Sequence, residues 1–168
     1  KAGHTNGACV NTLPGAANIE AFCSGFNDGL AENGGTGSVL QLPATAFGDS
    51  TAVAQAVRAH LLQNPDITAM FAIGDQDSNA TISGIQQAGK TGSVHVCGMN
   101  FNDSILANIK AGTQACAIDQ QGFFAVSILN NHVMYGTTIP TREILTGPGV
   151  IDASNVDLVI AGVEAGAR

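Results

Sequence analysis

Between Asn64 and Gln121, three short apolar runs (Ala69–Ile73, Val94–Met99 and Ala115–Ile118) alternate with segments of helical character. Each run ends in small or polar residues: Gly74-Asp75-Gln76, Asn100-Phe101-Asn102 and Asp119-Gln120-Gln121. Runs this apolar fit strands covered on both faces, which predicts a parallel sheet with helices on each side. Open sheets of that kind place ligand-contacting groups outside the carboxyl ends of their strands. Here those ends carry amides and carboxylates, which suit a neutral polyhydroxyl ligand better than a phosphate.

The rest of the chain extends the pattern. Ala8–Leu13 reads as a strand, and Asn18 as the cap of a helix running to about Asn33. Val39–Leu42 reads as a second strand, followed by a helix capped by Asp49 or Ser50 with Val53, Val57 and Leu61 in one stripe. The third helix is expected from about Asp77 to Ala88, and a short fourth is capped by Asn102 or Asp103 and stopped at Gly112. Gly122–Tyr135 has apolar residues around more than one face, so burial on several sides is expected. The chain then turns irregular after Pro140, and Val156–Ala165 reads as a last helix. Five strand-then-helix units in series predict a doubly wound α/β domain.

Composition removes several function classes. The 168 residues hold six Lys plus Arg and carry a formal charge of −7, so no basic patch for nucleic acid or an anionic membrane can be assembled. Trp is absent and aromatics are sparse, which leaves little for a base-stacking platform. The apolar runs fall well short of the roughly 20 residues that span a bilayer. No signal-peptide pattern is seen, as in a mature exported protein or a fragment of one. Cys9, Cys23, Cys97 and Cys116 show no CxxC or metal-ligand spacing. They fit either four buried thiols or one or two disulfides, the latter placing the protein outside a reducing compartment.

Some motifs point the wrong way. Gly84 to Thr91 matches GxxxxGK[ST] letter for letter, but a phosphate loop needs a strand before it and a helix after it. Here the order is reversed, and Gly89 reads as a helix end. His4, His60, His95 and His132 form no metal-binding spacing, and there is no GxSxG elbow. Asp75 and Asp77 could serve acid–base chemistry, but helix capping explains them more simply. No enzyme activity, metal or cofactor is expected.

In order and spacing, several segments resemble the C-terminal half of type I periplasmic sugar-binding proteins, the receptors of monosaccharide ABC transporters. They are Cys9-Val10-Asn11 with Gly25-Phe26, Asn64-Pro65-Asp66-Ile67, Val96-Cys97-Gly98, Ala107 to Gly112, Ala117 to Gln121, and Thr146-Gly147-Pro148-Gly149. The resemblance implies one lobe of a two-lobed clamp, with a first lobe preceding Lys1 and sugar held between the two. It divides the chain into a sugar-binding lobe (1–121), a hinge-crossing helix that packs with the first lobe (122–140), and a hinge segment with tail (141–168). It further implies a periplasmic location and delivery of a monosaccharide or polyol to membrane permease subunits.

The same resemblance implies the ligand contacts. Asp75 and Gln76 would line the cleft, and Asn100 stands where relatives usually have an Asp bonding two hydroxyls. Gln120 follows the fifth strand at a hinge. Phe22 falls where many relatives carry an Arg that reaches the sugar, and Phe47 near an aromatic that stacks on the ring. With Asn100 and Phe22 at those places, two charge-assisted contacts are lost.

A competing reading is the effector-binding domain of a lac-repressor-like regulator, which shares the fold but would need a DNA-binding headpiece; the acidic composition argues against it. A phosphoreceiver would want acidic residues after its first strand and an Asp after its third, where Asn11 and Gly74 stand. Three further expectations follow. Cys9 and Cys23 form a disulfide while Cys97 and Cys116 stay buried thiols. The exposed apolar faces of Gly122–Tyr135 are covered by swapping or dimerisation. Binding by this chain alone is weak or absent.

Overall fold

Every expected apolar run forms a strand in the computed structural model, which describes residues 3–138, 143–144 and 149–167. In chain order the elements are β1 (Asn6–Asn11), α1 (Ala17–Glu32), β2 (Thr36–Gln41), α2 (Ser50–Gln63), β3 (Ala69–Ala72) and α3 (Asp75–Gln87). There follow β4 (His95–Met99), α4 (Asp103–Lys110), β5 (Cys116–Asp119), α5 (Gly122–Tyr135), β6 (Gly149–Asp152) and α6 (Val156–Glu164). The sheet order is β2-β1-β3-β4-β5-β6, with β1 to β5 parallel and β6 antiparallel to β5. The sixth strand lies in a stretch expected to be irregular. Its four residues, Gly-Val-Ile-Asp, carry too little pattern to reveal a pairing made with a strand some thirty residues earlier. Pro140 and Leu145 to Pro148 lie outside the described residues.

Alternate residues of each strand feed different cores. Ala8, Val10, Met70, Ala72 and Val96 pack against Val53, Val57 and Leu61 of α2 and Ala80 and Ile85 of α3. Cys9, Phe71, Ile73 and Met99 point to the other face, against Ile19 and Cys23 of α1. A third cluster joins Ala117 and Ile151 to Ile105, Leu106 and Ile109 of α4 and Val156 and Val159 of α6. Burial on both faces is why these strands read as unbroken apolar runs. Gly84 allows α2 and α3 to meet closely, since a Cβ there would sit 2.6 Å from the Ala54 carbonyl oxygen. Gly89 has φ +70° beyond the end of α3, and Lys90 Nζ donates to the Pro65 carbonyl at 2.6 Å. The GxxxxGKT string is thus a helix end and not a phosphate loop.

Three local expectations are corrected. The first helix starts at Ala17 with Ala16 as an N-cap lacking any side-chain bond, so Asn18 lies inside it. The third helix starts at Asp75 behind Gly74, so neither Asp75 nor Asp77 is its cap residue; both lie in the first turn, where acidic charge complements the helix dipole. In α5 no residue is buried, and Val126, Val133 and Tyr135 are 69%, 71% and 76% exposed. The three cores are filled without it.

The cysteines form two disulfides, Cys9–Cys23 and Cys97–Cys116. The first was expected: it ties β1 to α1, with Cα atoms 5.4 Å apart. The second corrects the expectation of buried thiols. Cys97 and Cys116 are register partners on neighbouring parallel strands, their Cα atoms 4.5 Å apart, so both side chains leave the same sheet face side by side. Sequence separations of 14 and 19 close loops for which chain entropy gives roughly 3 kcal/mol each. Cys9 and Cys23 are almost wholly buried, whereas Cys97 and Cys116 are half-buried. Exchange needs access by the attacking thiolate. Folded protein treated with dithiothreitol and then alkylated should therefore lose Cys97–Cys116 first; mass mapping that finds Cys9 and Cys23 labelled earlier would contradict this ordering.

Candidate functional site

The carboxyl ends of the parallel strands β1, β3, β4 and β5 point to one edge of the sheet, and the chain there is built of turns with fixed geometry. At the end of β1, Asn11 is fully buried. Its Oδ1 accepts from the Leu13 amide at 2.9 Å, and its Nδ2 donates to Glu20 Oε1 at 3.1 Å. The same Glu20 oxygen accepts from the Gly15 amide at 3.0 Å, so the turn carrying Leu13 is bound on two sides. After β4, Asn100 takes φ +63°, and after β5 Gln121 takes φ +55°. Left-handed backbone is uncommon outside glycine and costs of order 1 kcal/mol or more. The Asn100 conformation is held by its amide donating to the Ile118 carbonyl at 2.9 Å, and that of Gln121 by its amide donating to Asp119 Oδ1 at 2.7 Å.

A cavity of about 340 Å³ opens at this edge. Asp75, Gln76, Asp77 and Asn100 supply its polar groups, and Leu13, Ile19, Phe47 and Ile73 its apolar wall. Phe47 follows a single 3-10 turn at Ala44–Ala46 and is 59% exposed, an aromatic left in solvent at the rim. None of the lining residues is Lys, Arg or His. Amide and carboxylate groups beside an aromatic face can bond hydroxyls and cover the C–H face of a ring, and nothing in the lining neutralises an anion. Another concavity, lined by Phe26, Leu30, Met70, Cys97 and Cys116 with His4, His95 and Asn33, sits away from this edge. Ligand contacts in open α/β sheets gather at the carboxyl edge.

The expected site residues divide. Asp75, Gln76, Asn100 and Phe47 share the cavity. Gln120 is exposed after β5, on the same edge but outside the lining. Phe22 also stands outside the lining, packed on α1 against the Cys9–Phe71 cluster, where a helix-face residue covers core. Asp77 was read from the sequence as a helix-end residue and proves to be a wall of the cavity. It is 6% exposed, and its Oδ2 accepts from the Thr12 hydroxyl at 3.1 Å. Thr12 gave no signal in the sequence, because the two residues are 65 positions apart and meet only through the β1–β3 pairing.

Burial pushes the Asp77 carboxyl above its ordinary 3.8; the Thr12 hydrogen bond works against the rise, and the nearby Asp75 charge adds to it. No cation is among the causes that shift Asp77, which are burial, Thr12 and Asp75. The linkage has a definite sign. Between 3.8 and the raised folded value, the native state holds more protons than the unfolded chain, so stability declines as pH rises through that window. An amide at the same place still accepts from Thr12 but has no charge to bury. Asp77→Asn should therefore gain stability relative to the natural chain as pH rises from 3.8 toward neutral. Urea unfolding at several pH values measures this; a stability difference that stays flat with pH would contradict it.

Comparisons with known proteins agree with the geometry. The periplasmic binding protein domain profile matches residues 2–133. The carbohydrate transporter from Acidothermus cellulolyticus 11B, solved with myo-inositol, is 28% identical with TM-score 0.80 over 99% of this chain and 57% of that one. An ABC transporter solute-binding protein from Agrobacterium vitis, bound with alpha-D-tagatopyranose, is 29% identical with TM-score 0.72 over 94% and 53%. The periplasmic ribose ABC transporter from Conexibacter woesei DSM 14684 shares the fold at 24% identity and TM-score 0.75, over 98% and 56%. This chain spans a little over half the length of these structures. Comparison with curated proteins gives no match. With the profile covering most of its residues, the chain belongs to the periplasmic binding protein domain family.

Proposed function

We propose that this chain is one lobe of a solute receptor for a sugar or related polyol, acting without chemistry to present its ligand to an ABC transporter permease. The observation that carries the reading is the cavity at the carboxyl edge of β3 and β4, where Asp75, Gln76 and Asn100 face an exposed Phe47. These four are the proposed ligand contacts, with Gln120 flanking them; Phe22 is proposed to support the edge from the core. Two relatives near 30% identity were solved with a cyclitol and a ketose, both neutral and rich in hydroxyls. Two disulfides fit an oxidising, extracytoplasmic setting, and no helix among the described residues is long and apolar enough to cross a membrane.

One face offers only part of the hydrogen bonds a sugar needs and leaves it wet. Exposed hydrogen bonds contribute about 1 kcal/mol each, and several must first offset the cost of immobilising the ligand. Isolated, the chain should bind polyols at millimolar affinity or weaker, about −4 kcal/mol. Calorimetry against a panel including myo-inositol checks this, with and without the remaining length found in relatives. Micromolar binding by the isolated chain would contradict the reading that a second face completes the site.

The uncovered apolar helix α5 belongs to the same proposal. Phe123, Phe124, Leu129 and Met134 are all roughly half exposed or more. Such a patch marks an interaction surface. We assign it to packing against the missing lobe and, where that lobe is absent, to association between copies by swapping or dimerisation. Light scattering across a concentration series should show self-association of the isolated chain, suppressed by Leu129→Glu with Val133→Glu. A strict monomer at the highest concentration would refute it.

A further inference from the structure

We propose that Asn102 is a positioning residue that orients the Asp75 carboxylate toward the cavity, and so sets how this site reads hydroxyls; the inference rests on the sugar-site reading above. Asn102 is the N-cap of α4, and its side chain makes three hydrogen bonds. Its Oδ1 accepts from the Ile105 amide at 3.0 Å and from the Ser104 hydroxyl at 2.7 Å. Its Nδ2 donates to Asp75 Oδ2 at 2.7 Å. The first two bonds fix the amide plane to a helix whose Ile105, Leu106 and Ile109 are buried. The third then fixes one carboxylate oxygen of Asp75, the first residue of α3, against that rigid base.

The choice of amide is informative. Asp, Asn and Ser cap a helix about equally well. Capping needs only the acceptor oxygen of Asn102, while its donor nitrogen serves Asp75. Asp75 has no cap partner holding it to its own helix, because the residue before it is Gly74. Bound to Asn102 through Oδ2, the carboxylate keeps its other oxygen for a ligand in the cavity that Asp75 lines. A relay continues away from the cavity: Asn79 Nδ2 donates to the Ser104 hydroxyl at 3.0 Å, and Asn108 Nδ2 donates to Asn79 Oδ1 at 2.9 Å. It bonds α3 to α4, tying the loops after β3 and β4 together.

Two variants separate positioning from capping. Asn102→Ser keeps a cap and adds no charge; Asn102→Asp keeps a cap and turns the donor into a repelling carboxylate. In the natural chain the three-bond Hα–Hβ couplings of Asp75 should report one rotamer. In both variants they should average, with the unfolding midpoint little changed. Asp75 holding a single rotamer in Asn102→Ser would overturn the proposal. In NMR titrations with myo-inositol, Asn102→Ser should weaken binding about fivefold when Asp75 is present and add almost nothing in an Asp75→Ala background. Additive losses would overturn it too. If no polyol binds even with the remaining length found in relatives restored, while the couplings average as stated, the sugar reading fails and the orienting role of Asn102 stands.

Discussion

The parallel register of β3, β4 and β5 is the constraint on which the rest depends. It sets Met70 beside Val96, and Gly98 beside Ala117, so neighbouring strands bring their side chains to the same two faces of the sheet. It also makes three successive strands end on the same edge. Nothing else in the molecule brings Asp75, Asn100 and Gln120 to one place, since 25 and 20 residues separate them in the chain. The Cys97–Cys116 disulfide locks one of these pairings covalently, immediately behind the turn that carries Asn100.

Given that edge, local chemistry shapes the cavity. Left-handed backbone at Asn100 and Gln121 turns the chain sharply after β4 and β5. Buried Asn11 organises the turn after β1, and Thr12 supplies the partner for the Asp77 carboxylate. Holding a carboxylate here without a cation costs stability near neutral pH, as the raised Asp77 value implies. Left-handed backbone and a buried carboxylate gathered at one edge are features that cluster at functional sites.

The sequence carried a good part of this, for identifiable reasons. Strands buried on both faces announce themselves as apolar runs, and the caps Asp49 and Asn102 fell where their helices begin. Because β–α alternation implies a parallel sheet, the sequence alone puts Asp75 and Asn100 on one edge. What escaped was long-range. The Cys97–Cys116 bond depends on register, which spacing does not encode. The strand β6 pairs with a segment remote in sequence, and Thr12 meets Asp77 only across two strands. Phe22 came from resemblance alone and lies against the core, since helix α1 turns that position toward Phe71. The apolar ring of α5 was readable, but no residue of it is buried by this chain's own fold.

The central claim is that polyols meet this protein at the carboxyl edge of β3 and β4. Amide and side-chain shift mapping on isotope-labelled protein at high polyol concentration tests it directly. The account predicts perturbations concentrated at Phe47, Gly74 to Asp77 and Asn100, fading toward α2 and α6. Perturbations centred instead on α5, or on the groove beside Phe26 and His95, would contradict it.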